Sequence, residues 1–275
     1  MKPAFCILHP VSWHRWLGQY GPPTVLLAGL LALWEILVRV SDVPRWLLPA
    51  PTQIVAAGVE AAPLLGPHIA QTMSETLLGL ALALITGLLL AFAVDLSATL
   101  RRALYPLLVA SQTIPILALA PLLIIWFGYD ILPKVLVVAL VCFFPVAVGT
   151  ADGLRSADPE LINLLRAMGA SRRQIFTTVR VPAALPSFFS GLKIAVTYSV
   201  IGAIIGEWVG ASVGLGIFMT RSSKSFLTDR VFAAIAITSL LSIALFAAVK
   251  VLERATLPWY FAGREEVWEE LGAGS

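Results

Sequence analysis

The sequence predicts an all-α integral membrane protein of about six transmembrane helices. Three observations lead there. Of the 275 residues, 59% are hydrophobic and only 13% charged, where a soluble domain carries about 25% charged residues. The apolar residues gather into six runs, each near the roughly 20 residues that a helix needs to cross the hydrocarbon core. The Lys and Arg between the runs are unevenly shared between alternate loops, as topology signals are.

The first run is 23–40. Residues 41–67 hold Pro44, Pro49, Pro51, Gly58, Pro63 and Gly66, and that density of breakers predicts an extramembrane or interfacial stretch. The second run, about 70–94, is closed by Asp95 and then by Arg101 and Arg102. The third, about 104–127, is interrupted by Pro106, Pro115 and Pro121, and Phe127-Gly128-Tyr129-Asp130 turns it into the fourth, about 131–150. The fifth is about 187–209 and the sixth about 231–252. With both termini inside, the inner segments hold twelve Lys and Arg: Lys2, Arg15, Arg101, Arg102, Arg155, Arg166, Arg172, Arg173, Arg180, Lys250, Arg254 and Arg264. The outer segments hold six: Arg39, Arg45, Lys134, Arg221, Lys224 and Arg230. The asymmetry predicts cytoplasmic termini. The chain then divides into a cytoplasmic tail (1–22), a six-helix domain (23–252) with a long cytoplasmic loop at 151–186, and a second cytoplasmic tail (253–275).

Composition excludes several classes. A net charge of +3, dispersed along the chain, suits no nucleic acid; the lipid bilayer is the partner it implies. Cys6 and Cys142, one in a tail and one in an apolar run, predict neither a disulfide nor a metal cluster. His9, His14 and His68 are scattered, so no metal is expected. Trp13, His14 and Trp16 precede the first run and no small-residue cleavage site follows it, which reads as a retained helix rather than a signal peptide. No G-x-x-x-x-G-K-[ST], H-E-x-x-H or G-x-S-x-G occurs, so the chain is no enzyme of those kinds and no cofactor is expected on it.

The loop carries the most specific signal. NLLRAMGASRRQIFTTVRVPAALP at 163–186 has four arginines, and no Asp or Glu occurs between 161 and 206. Asp158 and Pro159 suit the cap and first position of a helix. Leu161, Leu164, Leu165 and Met168 then fall on one face at i, i+3, i+4 and i+7. Gly169 suits the helix end, and Ser171 with Gln174 three residues on makes a capping box for a second helix. Ile175, Phe176 and Val179 form its apolar face, Arg173, Thr177 and Arg180 its polar stripe, and Pro182 and Pro186 are expected to stop it. A topology signal needs charge but not two capped amphipathic helices, whose apolar stripe suits a groove on a partner.

This segment resembles the cytoplasmic loop of permease subunits in binding-protein-dependent ABC importers, whose pattern is Glu-Ala-Ala, three residues, Gly, nine residues, then Ile-x-Leu-Pro. In that register stand Asn163-Leu164-Leu165, Gly169 and Val179-Arg180-Val181-Pro182; Asn163 replaces the family's glutamate. WLLPAPTQIV at 46–55, IPILALAPLLIIWFGYDILPKVLVV at 114–138 and GEWVGASVGLG at 206–216 extend the likeness to permeases of the nitrate, sulfonate and taurine group. SQTIPILALAPLLIIWFGYDILPK and GLKIAVTYSVIGAIIGEWVGA are most similar to permeases for thiamine pyrimidine precursors and riboflavin. The resemblance implies a type I ABC importer permease fold with a cytoplasmic coupling helix, in the bacterial inner membrane. It implies a second permease copy, two ATP-binding subunits that hold the ATP, and an extracytoplasmic solute-binding protein. Asn163, Gly169, Ala170, Ser171, Arg172, Arg173 and Pro182 are the expected docking residues.

Candidate pathway residues are Gln112, beside Pro115; Trp126 and Tyr198, which with Phe127, Phe143 and Phe144 suit either stacking on a flat heterocycle or an interfacial aromatic belt; and Glu207, a pathway or gate carboxylate if intramembrane. Glu35 and Arg39 are spaced for an i,i+4 pair. The rival class, an ion-coupled secondary transporter, typically shows inverted repeats and intramembrane carboxylates; no repeat is visible, and Glu207 is the carboxylate that reading would use.

Overall fold

Apolar runs in lipid have to satisfy their own backbone, which helices do, and helices are what the chain forms. The computed structural model describes residues 13–261. Lys2, Cys6, His9 and Arg264, and with them most of both tails, lie outside the described residues, as do the side chains of Trp13, His14, Arg15 and Trp16. The elements are α1 (Trp13–Val40), α2 (Pro51–Glu60), α3 (Ala62–Leu96), α4 (Ala98–Ser111), α5 (Ile116–Phe127), α6 (Ile131–Arg155), α7 (Pro159–Ala167) and α8 (Arg172–Ile175). A π-helical turn (Phe176–Arg180), α9 (Val181–Gly210), α10 (Leu215–Lys224) and α11 (Thr228–Thr256) follow. Five helical stretches are long and apolar enough to cross a membrane, with a sixth if the bent pair α4–α5 counts as one span.

That pair corrects the third predicted span. α4 and α5 meet at 97°, so 104–127 is a broken element rather than one helix. Pro115 has no N–H for the carbonyl of Ser111 and pushes Ile114 out of helical geometry. Nearby hydroxyls bond carbonyls in the last turn before the break: Ser111 Oγ donates to Leu108 O at 2.6 Å and Thr113 Oγ1 to Ala110 O at 2.8 Å. Pro106 and Pro121 lie inside their helices and break neither. The stretch 41–67, expected to be extramembrane or interfacial, holds α2 at 51–60 with Pro51 in its first turn, and α3 begins at Ala62 with Pro67 inside it. α3 has 35 residues, roughly 50 Å of helix, so it projects beyond the hydrocarbon. Glu35 and Arg39 do pair, at 2.6 Å. Glu35 also accepts from Thr52 N–H and Oγ1, which ties α1 to the start of α2.

Nor do Pro182 and Pro186 stop the loop's second helix. The Val181 N–H reaches back to Phe176 O, five residues earlier. This wider turn leaves Pro182 in the first turn of α9, where its missing N–H is least needed, and Pro186 inside the same helix.

α6 packs between α3 and α9, and its neighbours approach through glycines. A Cβ at Gly79 would collide with the side chain of Val138, and one at Gly191 with the carbonyl of Pro145. Small residues at such contacts let backbones come close, which drives helix association where lipid supplies no hydrophobic force. Ala83, Val138, Cys142, Val146, Ala195 and Val196 fill the seam. Cys142 is a buried free thiol whose Sγ donates to Ala195 O.

Candidate docking face and solute cavity

The direction of α3, α6 and α9 gives the bundle two ends. At one end the long loop forms the two capped helices that its local signals predict. Asp158 accepts from the Glu160 N–H at 2.8 Å and Pro159 opens α7. At its far end, Gly169 has φ +83°. The Ala170 N–H reaches Leu165 O at 2.9 Å and the Gly169 N–H reaches Arg166 O at 3.0 Å, the paired bonds of a Schellman cap. Ser171 and Gln174 form the capping box, with Gln174 N–H on Ser171 Oγ and Ser171 N–H on Gln174 Oε1.

α7 buries no residue. Leu164 is 57% and Met168 74% exposed, an apolar face turned away from the bundle. α8 and the π turn insert Ile175 and Val179 into the core instead. Between the loop and the ends of α3 and α6 lies an open groove of about 1420 Å³, lined among others by Asn163, Ala170, Arg172, Arg173, Arg166 and Arg155. The structure thus gathers Asn163, Ala170, Arg172 and Arg173 on one groove. Gly169 and Ser171 shape the turn beside it, and Pro182 sits apart, in α9.

Arg180, on the predicted polar stripe, lines the same groove together with Asp95 and Leu154, and its guanidinium is engaged with the bundle ends. Its Nη1 and Nη2 donate to Asp95 Oδ2 and Oδ1 at 3.0 and 2.7 Å, and its Nε and Nη2 to Leu154 O at 3.2 and 3.0 Å. Lys193 likewise pairs with Glu253 at 2.9 Å, joining α9 to α11.

The pathway candidates separate. Gln112, at the α4–α5 break, and Tyr198, on α9, share a cavity of about 620 Å³ with Phe144, Asp152, Ser187 and Ser190, a size that suits a small molecule. Among the described residues that line it, Asp152 is the charged one. Trp126 is 66% exposed on α5 and Phe127 is exposed beside it, both outside this cavity, while Phe143 packs against the core.

Glu207 lies at the opposite end, fully buried. It accepts from Thr72 Oγ1 at 2.6 Å and from the Gly216 N–H at 2.5 Å, so it fastens α9 to α3 and α10. Two further buried charges stand at this end. Glu75 is fully buried and accepts from Gln71 Nε2. Lys134 reaches Glu75 and donates to the carbonyls of Tyr129 and Asp130. Lys134 was counted among the outer-loop charges, and it is 5% exposed. Glu207 is therefore not the lone buried carboxylate of the bundle. A single acid inside an apolar run is itself a signal, and Glu75 in TMSETLLGL carries that signal as Glu207 does.

Among the described residues no three His, Cys, Asp or Glu gather as a metal site requires.

Comparison with known proteins agrees with this architecture. The family model for the inner membrane component of binding-protein-dependent transport systems matches residues 80–257. The formylaminopyrimidine transport permease protein ThiX of Halalkalibacterium halodurans is 47% identical over 86% of this chain and 95% of its own length. The riboflavin transport system permease protein RibX of Chloroflexus aurantiacus is 37% identical over 89% and 91%. The taurine transport system permease protein TauC of Escherichia coli is 32% identical over 85% and 88%. Among solved structures, an inward-facing MetNI methionine ABC transporter shares the fold, with a TM-score of 0.62, 21% identity, and coverage of 71% of this chain and 97% of that one. The chain, a multi-pass membrane protein and the permease component of an ABC importer, belongs to the family of binding-protein-dependent transport system inner membrane components.

Proposed function

We propose that this permease imports a flat nitrogen heterocycle, a thiamine pyrimidine precursor or riboflavin, across the bacterial inner membrane. Two copies would build the pathway, with both termini and the loop 151–186 in the cytoplasm. An ATP-binding subunit, which holds the ATP, would dock on each loop through Asn163, Gly169, Ala170, Ser171, Arg172, Arg173 and the exposed face of α7. A solute-binding protein would deliver from the other side.

The observation that carries the solute class is the lining of the Gln112–Tyr198 cavity. It offers aromatic faces from Phe144 and Tyr198, neutral hydrogen-bonding groups from Gln112, Ser187 and Ser190, and one acid, with no Lys or Arg among the described residues that line it. A ring can stack there, at about 1–3 kcal/mol per aromatic by analogy with nucleobases, and its N–H groups can donate to Asp152. A sulfonate or nitrate would meet a carboxylate and no compensating cation. The identities of the relatives, 47% for the formylaminopyrimidine permease and 37% for the riboflavin permease against 32% for the taurine permease, support the same choice.

Uptake of labelled formylaminopyrimidine, riboflavin and taurine in a deletion strain carrying the operon of this chain tests the class. Accumulation of a heterocycle and not of taurine is the expected result. Accumulation of taurine alone overturns it.

A further inference from the structure

Arg166, Arg172 and Arg173 of the loop are exposed, while Arg180 is held inside a three-way contact. Asp95 is the penultimate residue of α3 and Leu154 the penultimate residue of α6. The Leu154 carbonyl belongs to the last turn of its helix, where carbonyls lack an intrahelical partner. One guanidinium thus closes the ends of two core helices while standing on the π turn that leads into the third. Its fork meets the Asp95 carboxylate through two parallel bonds, a geometry that fixes direction as well as distance. The neighbouring Ile175 and Val179 contacts are apolar and non-directional. A π turn inserts a residue into the helical repeat, so the side chains of α8 and α9 on either side of Arg180 are out of register with each other.

We propose that Arg180 is the joint through which displacement of the docking loop is delivered to α3 and α6, and that it acts as a positioning residue for transport rather than as a contact to the ATP-binding subunit. The inference rests on the reading that loop 158–182 is where that subunit docks. α6 carries Phe144, Gly149 and Asp152 of the solute cavity within the three turns before Leu154. A pull on Leu154 O therefore reaches Asp152 and Gly149 of the cavity wall within the last turns of α6, and Phe144 across Pro145, while the bond to Asp95 holds the end of α3 to the same point. Without the clamp the loop keeps its apolar anchor and its exposed face, so the subunit still docks, but its movement is spent in the loop.

The test uses the complete importer, this chain with its ATP-binding subunit and solute-binding protein, in proteoliposomes. Three quantities are read: co-purification of the ATP-binding subunit, ATP hydrolysed, and uptake of whichever of labelled formylaminopyrimidine, riboflavin or taurine the unaltered importer accumulates. Arg180→Lys keeps the charge and loses the fork; Asp95→Asn keeps the shape and loses the charge, and serves where the first variant fails to reach the membrane. For both, the expected result is wild-type co-purification with solute moved per ATP reduced about tenfold, a change within the usual range for coupling between sites. The exchanged pair Asp95→Arg with Arg180→Asp is expected to recover part of that ratio. An unchanged ratio, or uptake and hydrolysis falling together in fixed proportion, overturns the joint. So does loss of co-purification in both variants, which would make Arg180 a docking contact. Failure of the docking reading shows separately, in the otherwise unaltered chain: if Ser171→Cys does not cross-link to the ATP-binding subunit, loop docking is wrong, and the joint falls with it.

Discussion

Lys134 Nζ lies 3.9 Å from Glu75 Oε1 with both side chains almost wholly removed from solvent. This is a buried ion pair between α6 and α3, at the end of the bundle remote from the docking loop. With the tie from Glu207 to Thr72 and Gly216, it locks α3, α6, α9 and α10 together. Removing one partner of a buried pair leaves the other charge uncompensated, at about 3–5 kcal/mol. Lys134→Met is expected to destabilise the chain by that order, measured as thermal unfolding in detergent. Glu207→Gln keeps one acceptor oxygen, enough for the Gly216 N–H, and its amide N–H can donate to the Thr72 hydroxyl in place of accepting from it, so it is expected to cost less. A Lys134→Met variant that melts at the wild-type temperature contradicts the assignment.

Gly169 tests the loop. Its φ of +83° strains any L side chain, at about 1–2 kcal/mol, yet among the described residues nothing beyond its own chain neighbours comes within 4 Å of a Cβ built there. Backbone strain rather than collision should decide the outcome, so Gly169→Ala and Gly169→Leu are expected to behave alike. Both should reach the membrane, and both should hydrolyse ATP with little solute uptake. Normal transport by Gly169→Leu would show that the Schellman turn is dispensable.

Gly191 tests the α6–α9 seam. A Cβ there meets the Pro145 carbonyl and the neighbouring Gly149 Cα, backbone atoms that cannot swing aside. Overpacking of this kind costs about 1–3 kcal/mol and sometimes more. Gly191→Val should lower both the melting temperature and the amount of protein recovered from the membrane, while Gly21→Val, in open surroundings, should change neither.

The cavity makes a selectivity prediction. Tyr198→Ala removes one stacking face and is expected to slow heterocycle uptake about tenfold, within the 1–3 kcal/mol of an aromatic–ring contact. Asp152→Asn removes the carboxylate that a ring N–H would donate to, and should slow an aminopyrimidine more than a solute lacking such donors. Competition uptake with unlabelled solutes reads both. Equal slowing by Asp152→Asn of a transported solute that lacks ring N–H donors would remove the carboxylate from the specificity account.

How much was legible follows the distance over which each signal acts. Asp158 with Pro159, Gly169, and Ser171 with Gln174 are each local signals, and the loop formed as they predict. The pairing of Arg180 with Asp95 spans 85 positions, and Asp95 looked like an ordinary end to a span. The three prolines of residues 104–127 also looked alike. Pro115 breaks the chain where Ser111 and Thr113 can bond the nearby carbonyls, whereas Pro106 and Pro121 stay inside their helices, and no residue type in the run distinguishes the three. Pro182 and Pro186 misled for a related reason: the π turn that accommodates Pro182 has no signature in residue types. Gln112 and Tyr198 meet in one cavity, but Asp152, which gives that cavity its charge, follows an apolar run with no pattern around it that marks a site.

The claim that ATP hydrolysis on a docked partner drives this permease is tested most directly by one uptake experiment. Proteoliposomes holding the chain and its ATP-binding subunit are supplied with the loaded solute-binding protein, with ATP on the loop side and with ion gradients collapsed by ionophores. The account predicts that labelled formylaminopyrimidine or riboflavin accumulates only when ATP is present, and that hydrolysis rises when the loaded binding protein is added. Accumulation that proceeds without ATP and disappears when the ion gradient is collapsed would contradict it, and would identify an ion-coupled carrier instead.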